Sequence, residues 1–376
     1  PAAYSSSGVA RDMTDRNELV VRSVLDDVMA KRTSLPAGST QRKLGTFYAT
    51  CMDSAAAERA GLAPVRPELA AASAITSRAQ LLAEITRLQS TGHNVLFRFF
   101  PSVDQHDPAH YIAVLWQGGL GLPDRDYYTR EGASPDSIRT NYLTHITRLL
   151  TLSGESAASA KADAQRVYDL EKQLALASLT RVAMRDPSAV DHPVTEQQLV
   201  SMAPHVNWTQ YFHSAGVAHP ITKLNVAQPA FVARADTLLA TAPLESWRAY
   251  LRYHVLSSAS PWLSTPFVKE SFVFSSMFSG AKELLPRWKR CLRETDDQMG
   301  EALGKAYVEK TFPPGAKARA KQVIDDIRTA FGKRLEHLTW MSDTTKGANA
   351  NALAEREASR SRAATRFIVD SDGLFG

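Results

Sequence analysis

Apolar residues recur every three or four positions along most of this chain, and this spacing constrains the fold more than any other feature. The pattern is clearest over residues 285–312, where the stripe consists of Leu285, Trp288, Leu292, Met299, Leu303 and Ala306. Such spacing places the apolar side chains on one face of an α-helix. Pro313-Pro314-Gly315 ends that helix, and a second long helix is predicted to carry on one side Ala320, Ile324, Ile327, Phe331, Leu335 and Leu338. Ser134-Pro135 and the pair Thr195 and Gln198 are typical of helix starts.

Only two segments have the composition of β-strands. Residues 94–100 and 111–116 are rich in aromatic and branched side chains, and the polar segment 104–108 lies between them. Two such runs joined by a polar loop predict one antiparallel hairpin. Since helical patterns dominate elsewhere and no internal repeat is present, we predict a mainly α, multi-helix fold with one small β-hairpin.

The composition is that of an ordinary globular protein. The chain has 376 residues, of which 44% are hydrophobic and 22% are charged. A chain of this length buries roughly three quarters of its unfolded surface, so it needs no metal or disulfide lattice to fold. No apolar run approaches the roughly 18 residues of a membrane span, so none is predicted. Residues 1–8 also lack the basic end and apolar segment of a signal peptide.

The charge pattern argues against a nucleic-acid partner. The net charge is +5, and the basic residues over 287–293 and 317–321 are followed closely by the acidic residues of 294–297 and 325–326. Binding to nucleic acid needs a stripe of one sign, whereas mixed signs on helices are typical of a solvated face. We therefore expect no nucleic acid among the partners.

The histidines do not form a recognisable zinc motif. A zinc peptidase helix has two His at positions i and i+4, with a Glu after the first. His106 and His110 have that spacing, but Asp107 follows His106, and Pro108 opposes the helix that would align the two rings. We therefore predict that His106 and His110 lie in a loop and bind no metal. We predict no metal-binding or catalytic residue in this chain.

Nucleophile and phosphate-binding motifs are also absent from the sequence. There is no Gly-x-Ser-x-Gly elbow. Gly118-Gly119-Leu120-Gly121 lacks the Gly-Lys-Ser/Thr ending of a phosphate loop, and Pro123 stands where its helix should begin. We interpret this glycine-rich segment as a structural turn.

The two cysteines, Cys51 and Cys291, leave two readings open. They are either separate buried thiols or one disulfide formed in an oxidising compartment. A bridge closing so long a loop would stabilise the fold by roughly 5 kcal/mol in the chain-entropy model. The residues alone do not decide between the two.

Four segments of the sequence together have the pattern of one family. Residues 118–128, GGLGLPDRDYY, are similar to the signature GLGLPDRDYY, and residues 47–53, FYATCMD, resemble the segment YxSCMD/N. The segment from Trp288 through Cys291 to residues 306–312 resembles WxxC…YVxxxF, and residues 338–346 resemble LxWMdxxTk. With these segments the chain resembles the neprilysin-like zinc endopeptidases, the family that includes endothelin-converting enzyme. Order and spacing agree over residues 1–346, which is our predicted family region.

The resemblance implies a mainly helical protein of two lobes, in which the smaller helical lobe covers a zinc site in the other. It also implies that Cys51 and Cys291 are bridged, because they lie in segments that are bridged in relatives. A disulfide in turn implies an extracytoplasmic location, periplasmic or secreted. Zinc is the family cofactor, held by HExxH and a later ExxxD. Neither motif occurs in these 376 residues, so we expect no cofactor in this chain and assign no catalytic, metal or substrate-binding residue.

After Lys346 the similarity stops, and residues 347–376 are predicted to be a tail outside the family pattern. We interpret the chain as a truncated, proteolytically inactive family member that self-associates. One alternative is a fragment that cleaves small peptides only when a zinc-bearing fragment completes it. A second alternative is an interaction module that binds peptides.

Overall fold

The structure is a computed structural model that describes residues 8–313 and 315–347. The chain divides into two compact units. Of the described residues, the large unit comprises 8–19 and Gly45–Glu294, and the small unit comprises Val20–Leu44, 295–313 and 315–347. The predicted tail lies outside the described residues, apart from Gly347.

Helices dominate both units, as the periodicity predicted. The described residues form α1 (Val9–Lys31), α2 (Thr40–Met52), α3 (Ser54–Ala60), α4 (Arg66–Ser73), α5 (Arg78–Ser90), α6 (Asp126–Thr129), α7 (Ala133–Leu152), α8 (Ala157–Ala177), α9 (Glu196–Met202), α10 (Trp208–Ser214), α11 (Pro229–Thr241), α12 (Leu244–Ala259), α13 (Thr265–Ser279), α14 (Arg287–Thr311) and α15 (Ala316–Glu336). None of these helices has both the length and the apolar character needed to cross a bilayer.

The helix boundaries follow local chemistry in most places. The predicted box at Thr195 and Gln198 is confirmed, because each side chain bonds the other residue's backbone N–H at the start of α9. The predicted cap at Ser134 is wrong. Helix α7 begins at Ala133. The residue before it is Gly132, whose φ of 122° is a backbone angle that glycine adopts readily.

One four-stranded sheet lies in the large unit, in the order β1-β2-β4-β3. Its strands are β1 (Phe97–Val103), β2 (Tyr111–Gln117), β3 (Pro193–Thr195) and β4 (Lys223–Val226). Strands β1 and β2 pair antiparallel, which confirms the predicted hairpin. Strand β4 adds parallel to β2, and β3 pairs antiparallel with β4. The last two strands are only three and four residues long, too short to produce a β-pattern in the sequence.

Helix α12 lies at the centre of the large unit. It packs against α4, α7 and α8, and Trp247, Tyr250 and Tyr253 are fully buried. A helix that is apolar on most of its circumference belongs in a core rather than at a surface. Burying each such side chain contributes about 1.5–3 kcal/mol. This placement also aims three polar tips of α12 into the core, at Tyr250, Tyr253 and His254.

The small unit buries fewer apolar residues. Among the described residues, its buried apolar side chains are Val24, Leu25, Leu44, Leu303 and Leu335. Helix α15 is the second long helix that the sequence predicted, but three residues of its stripe are about half exposed. These are Ile324 (50%), Ile327 (59%) and Phe331 (50%), joined by Val323 (53%). The small unit thus presents an apolar helix face that is uncovered in the described chain.

Candidate functional site

Residues 118–128, which we call the signature loop, run from β2 into α6 and pass through the core. A side-chain carbon at Gly119 would lie 2.3 Å from the Tyr250 hydroxyl oxygen and 2.5 Å from the Leu96 backbone nitrogen. The same carbon at Gly121 would lie 2.0 Å from the Tyr142 hydroxyl oxygen. Both glycines are therefore required for close approach of the backbone. The signature loop is a structural turn, in agreement with the sequence interpretation.

The Tyr250 hydroxyl ties the start of the signature loop to the segment before β1. It donates to the Gly119 carbonyl oxygen at 2.8 Å and accepts from the Leu96 N–H at 2.9 Å. Leu96 has a φ of 61°, the only positive value at a non-glycine residue in the described chain. A branched residue in that region is strained, so its bond to a buried hydroxyl helps hold it there.

The carboxylate of Glu171 on α8 anchors the other end of the loop. It is fully buried, and its Oε2 accepts from the hydroxyls of Tyr128 at 2.6 Å and Tyr142 at 2.7 Å. Its Oε1 lies 2.9 Å from Nε2 of His254. Tyr128 also accepts from the Leu122 N–H at 3.0 Å, which completes a chain from loop backbone to carboxylate. A buried charge is tolerated only when its oxygens are bonded in this way.

The two tyrosines act as fixed donors to this carboxylate. Burial, and then the negative charge of Glu171, raise the pKa of Tyr128 and of Tyr142 well above the ordinary value. Both hydroxyls therefore stay protonated throughout the physiological range. The network therefore ties the loop to α8, and both oxygens of the Glu171 carboxylate already have partners.

A second buried network joins α7 to α13. Nδ1 of His145 lies 2.9 Å from Oε1 of Glu270, and its ring stacks on Phe274 with centroids 4.2 Å apart. Arg148 Nη1 lies 3.4 Å from the other Glu270 oxygen. Burial lowers the pKa of His145 below its ordinary value, although Glu270 opposes that change. The imidazole is therefore favoured in its neutral form in the folded protein.

Cys51 and Cys291 form a disulfide within the large unit. Their Cα atoms are 5.7 Å apart across a sequence separation of 240 residues. The bridge fastens the end of α2 to the first turns of α14, and Arg287 donates to the Cys51 carbonyl oxygen at 2.7 Å. Of the two readings left open by the residues, the structure has the bridge that the resemblance implied.

His106 and His110 lie in the loop between β1 and β2, where each imidazole faces a carboxylate of its own. Nε2 of His106 is 2.7 Å from Asp191, and Nδ1 of His110 is 2.7 Å from Asp107. Within residues 8–313 and 315–347, no group of three His, Cys, Asp or Glu side chains could hold a metal ion. The described residues therefore do not fit the zinc site that the resemblance implies for the family.

Glu171 is the buried residue that sequence reasoning missed. A glutamate inside a helix is ordinarily solvated, and its neighbours Asp169 and Lys172 are also charged. The usable indication was its position, since it is four residues after Val167 and three before Leu174, both fully buried. A charge in an apolar stripe indicates either a partner in the core or a site.

A family model for the N-terminal part of peptidase family M13, described as "Peptidase family M13", matches residues 1–354. Endothelin-converting enzyme 1 of Rattus norvegicus is 25% identical over 360 residues, covering 92% of this chain and 46% of the relative. Neprilysin-3 of Drosophila melanogaster is 26% identical over 376 residues, covering 92% of this chain and 46% of the relative. The chain thus spans about half the length of these curated relatives.

Solved structures show the same similarity. The zinc metalloprotease Zmp1 of Mycobacterium tuberculosis, in complex with an inhibitor, aligns with a TM-score of 0.84 at 28% identity. That alignment covers 94% of this chain and 53% of Zmp1. The similarity is therefore one of sequence and of fold together, over nearly the whole of this chain.

Proposed function

Because this chain belongs to peptidase family M13, we propose that its 376 residues form the zinc-free part of a zinc-dependent endopeptidase and do not hydrolyse peptides alone. The observation that carries this proposal is the absence of a zinc site. The sequence contains no HExxH motif, and the described residues contain no cluster of ligands for a metal. The chemistry of the family needs the motif and the metal ligands.

The chemical reason is the requirement for an activated water. Metal-assisted hydrolysis needs a bound ion that lowers the pKa of water, together with a carboxylate that takes its proton. Two buried carboxylates of the large unit, Glu171 and Glu270, already have partners in the core. Glu171 accepts from two tyrosines, and Glu270 lies against His145 and Arg148. Neither can serve as a general base without breaking the core.

We also propose that a zinc-bearing segment supplies the missing half of the site, and that the complete assembly cleaves peptides. The length comparison supports this, since the chain covers 46% of endothelin-converting enzyme 1. In the absence of that segment, we expect the chain to self-associate through the exposed face of α15, because an uncovered apolar face favours burial against another copy. The disulfide supports a location outside the cytoplasm, periplasmic or secreted.

The test combines metal content with activity. We expect the purified chain to carry far less than one zinc by mass spectrometry of metals, and to leave a quenched fluorescent peptide intact with and without added zinc. Chelator-sensitive cleavage together with one tightly bound zinc per chain would overturn the proposal. Adding a separately produced zinc-bearing half of a family M13 relative is expected to generate cleavage that a chelator abolishes.

Self-association is tested by light scattering with matched variants of α15. Ile327→Glu places a charge in the apolar face, whereas Gln322→Glu makes the same charge at an exposed polar position of the same helix. We expect Ile327→Glu to shift the chain toward the monomer and Gln322→Glu to leave the oligomer unchanged. A wild-type chain that remains monomeric at high concentration would contradict this part of the proposal.

A further inference from the structure

Strand β1 is an edge of the sheet, and the directions of its backbone groups follow from its neighbours. In β2, the Leu115 carbonyl oxygen accepts from Ala227 N–H, so the backbone groups of Leu115 point toward β4. Adjacent residues of a strand point their backbone groups to opposite sides, so those of Val114 point toward β1. Val114 is paired with Phe100, and Phe100 therefore bonds β2 while its neighbour Phe99 faces the open edge.

Among the described residues, a side chain caps this open edge at its first residues only. Gln89 of α5 donates to the carbonyl oxygens of Val95 and Phe97, at 2.9 and 2.6 Å, and its own oxygen accepts from the Tyr211 hydroxyl. Beyond this cap, the groups that face outward are those of Phe99, Pro101 and Val103. Pro101 has no N–H, so the edge offers a short, interrupted ladder rather than a long one. Interrupted edges resist pairing between whole sheets.

A groove runs beside this open edge in the large unit. It consists of two adjoining cavities of about 410 and 340 Å³ that share Thr86 and Tyr211 as lining residues. The larger cavity is lined by residues 97–100 of β1, and Phe99 packs edge-on against Tyr211 with centroids 5.8 Å apart. An aromatic floor beside unpaired backbone groups is suited to an extended chain, which places every second side chain in the groove.

The charged residues that line the groove indicate which kind of peptide it can bind. No aspartate or glutamate is among the residues that line either cavity in the described protein. Three of the basic lining residues have partners: Arg78 donates to the Ala242 carbonyl, while His93 and His205 face Glu68 and Asp236. Arg98 is exposed, its guanidinium lies 5.7 Å from the Phe100 ring centroid, and it contacts no carboxylate among the described residues.

We propose that the open edge of β1 and the adjoining groove bind an acidic peptide segment in extended conformation. The peptide backbone pairs with Phe99 and with the carbonyl of Pro101, as a fifth strand of the sheet. Its apolar side chains lie against Tyr211, and a carboxylate of the peptide pairs with Arg98. This is a peptide site that needs no metal and lies entirely within the large unit.

The test uses the full chain and a fluorescein-labelled peptide of ten residues that alternates valine and glutamate. Fluorescence anisotropy is expected to show saturable binding that weakens at least about tenfold when lysine replaces glutamate, because Arg98 then meets a like charge. N-methylation of the alternate residues removes one set of backbone donors. Only one of the two sets of peptide N–H groups can face β1. We therefore expect N-methylation of one set, either the valines or the glutamates, to weaken binding at least about tenfold, and methylation of the other set to weaken it less.

Matched variants distinguish a direct contact with Arg98 from a general effect of the net charge of the protein. Arg98→Glu is expected to weaken binding about tenfold, and Arg59→Glu, the same change at an exposed position on α3, by less than about twofold. If Arg98→Glu fails to fold by circular dichroism, Arg98→Gln is expected to weaken binding about threefold. Equal effects at Arg98 and Arg59, insensitivity to N-methylation, or absence of binding would each overturn the proposal. So would a dimer that blocks the edge and excludes the peptide.

Discussion

The close packing at Gly119 leads to a prediction about a single methyl group. Substitution by alanine has two separable costs. The φ of 70° is unfavourable for any residue with a side chain, by roughly 1–2 kcal/mol. The added carbon would also overlap the Tyr250 hydroxyl at 2.3 Å and the Leu96 nitrogen at 2.5 Å. Tyr250 cannot easily withdraw, since it bonds both the Gly119 carbonyl and the Leu96 N–H.

Gly216 provides a matched control for the first cost. Its φ is 84°, but a carbon added there meets no atom within 4 Å. Gly216→Ala should therefore lose only the backbone contribution, about 1–2 kcal/mol. Gly119→Ala should lose that amount plus an overpacking cost of about 1–3 kcal/mol. The expected free-energy difference between the two variants is thus about 1–3 kcal/mol.

Urea unfolding followed by far-ultraviolet circular dichroism and tryptophan fluorescence measures this difference. The double variant Gly119→Ala/Tyr250→Phe adds a further check, because removal of the hydroxyl relieves one overlap while leaving Leu96 N–H without an acceptor. We expect strong coupling between the two positions. If Gly119→Ala and Gly216→Ala lose the same stability within about 0.5 kcal/mol, the close approach at the signature loop is not what requires glycine.

Two further predictions concern the bridge and the buried histidine. Cys51→Ser/Cys291→Ser, or reduction, should lower the free energy of unfolding by several kcal/mol, up to about 5 in the chain-entropy model; unchanged denaturant midpoints would contradict this. Because the folded pKa of His145 is below the unfolded value of 6.5, the unfolded chain binds more protons, and stability should fall as pH drops below about 6.5. His145→Gln should flatten that dependence between pH 7.5 and 5.5, and an unchanged slope would show that His145 does not cause it.

The long helices could be predicted from sequence because their apolar stripes are long. The predicted helix over 285–312 is α14, Arg287–Thr311, and the following stripe is α15, Ala316–Glu336. Their burial could not be predicted. A stripe shows which face is apolar, but Ile327 is 59% exposed and Leu335 only 7%, although both lie on the same stripe. Exposure depends on what is packed against the helix, and sequence periodicity does not carry that information.

The groove beside β1 illustrates a different limit. The hairpin was predictable, because β1 and β2 are long and adjacent in the chain. Which edge of the sheet remains open depends on β4, a four-residue strand that pairs with β2 from more than a hundred residues away. Parallel addition of so short a strand leaves no local pattern. The open backbone groups of Phe99 therefore could not be inferred before the fold was known.

The residues that identify the family and the residues that would perform its chemistry are separate sets. In this chain the signature loop is required for packing: Gly119 and Gly121 leave room for tyrosine hydroxyls, and Tyr128 carries the loop's hydrogen bond to Glu171. Gly119, Tyr128 and Glu171 are buried, and the described residues include no group of three His, Cys, Asp or Glu side chains that could hold a metal ion. The signature thus concerns how the large unit folds, whereas the HExxH motif on which the proposed hydrolysis depends does not occur in the sequence. It follows that substitutions in the signature loop should destabilise the large unit, whereas under the proposed function a zinc-bearing half should supply activity without any change to the loop.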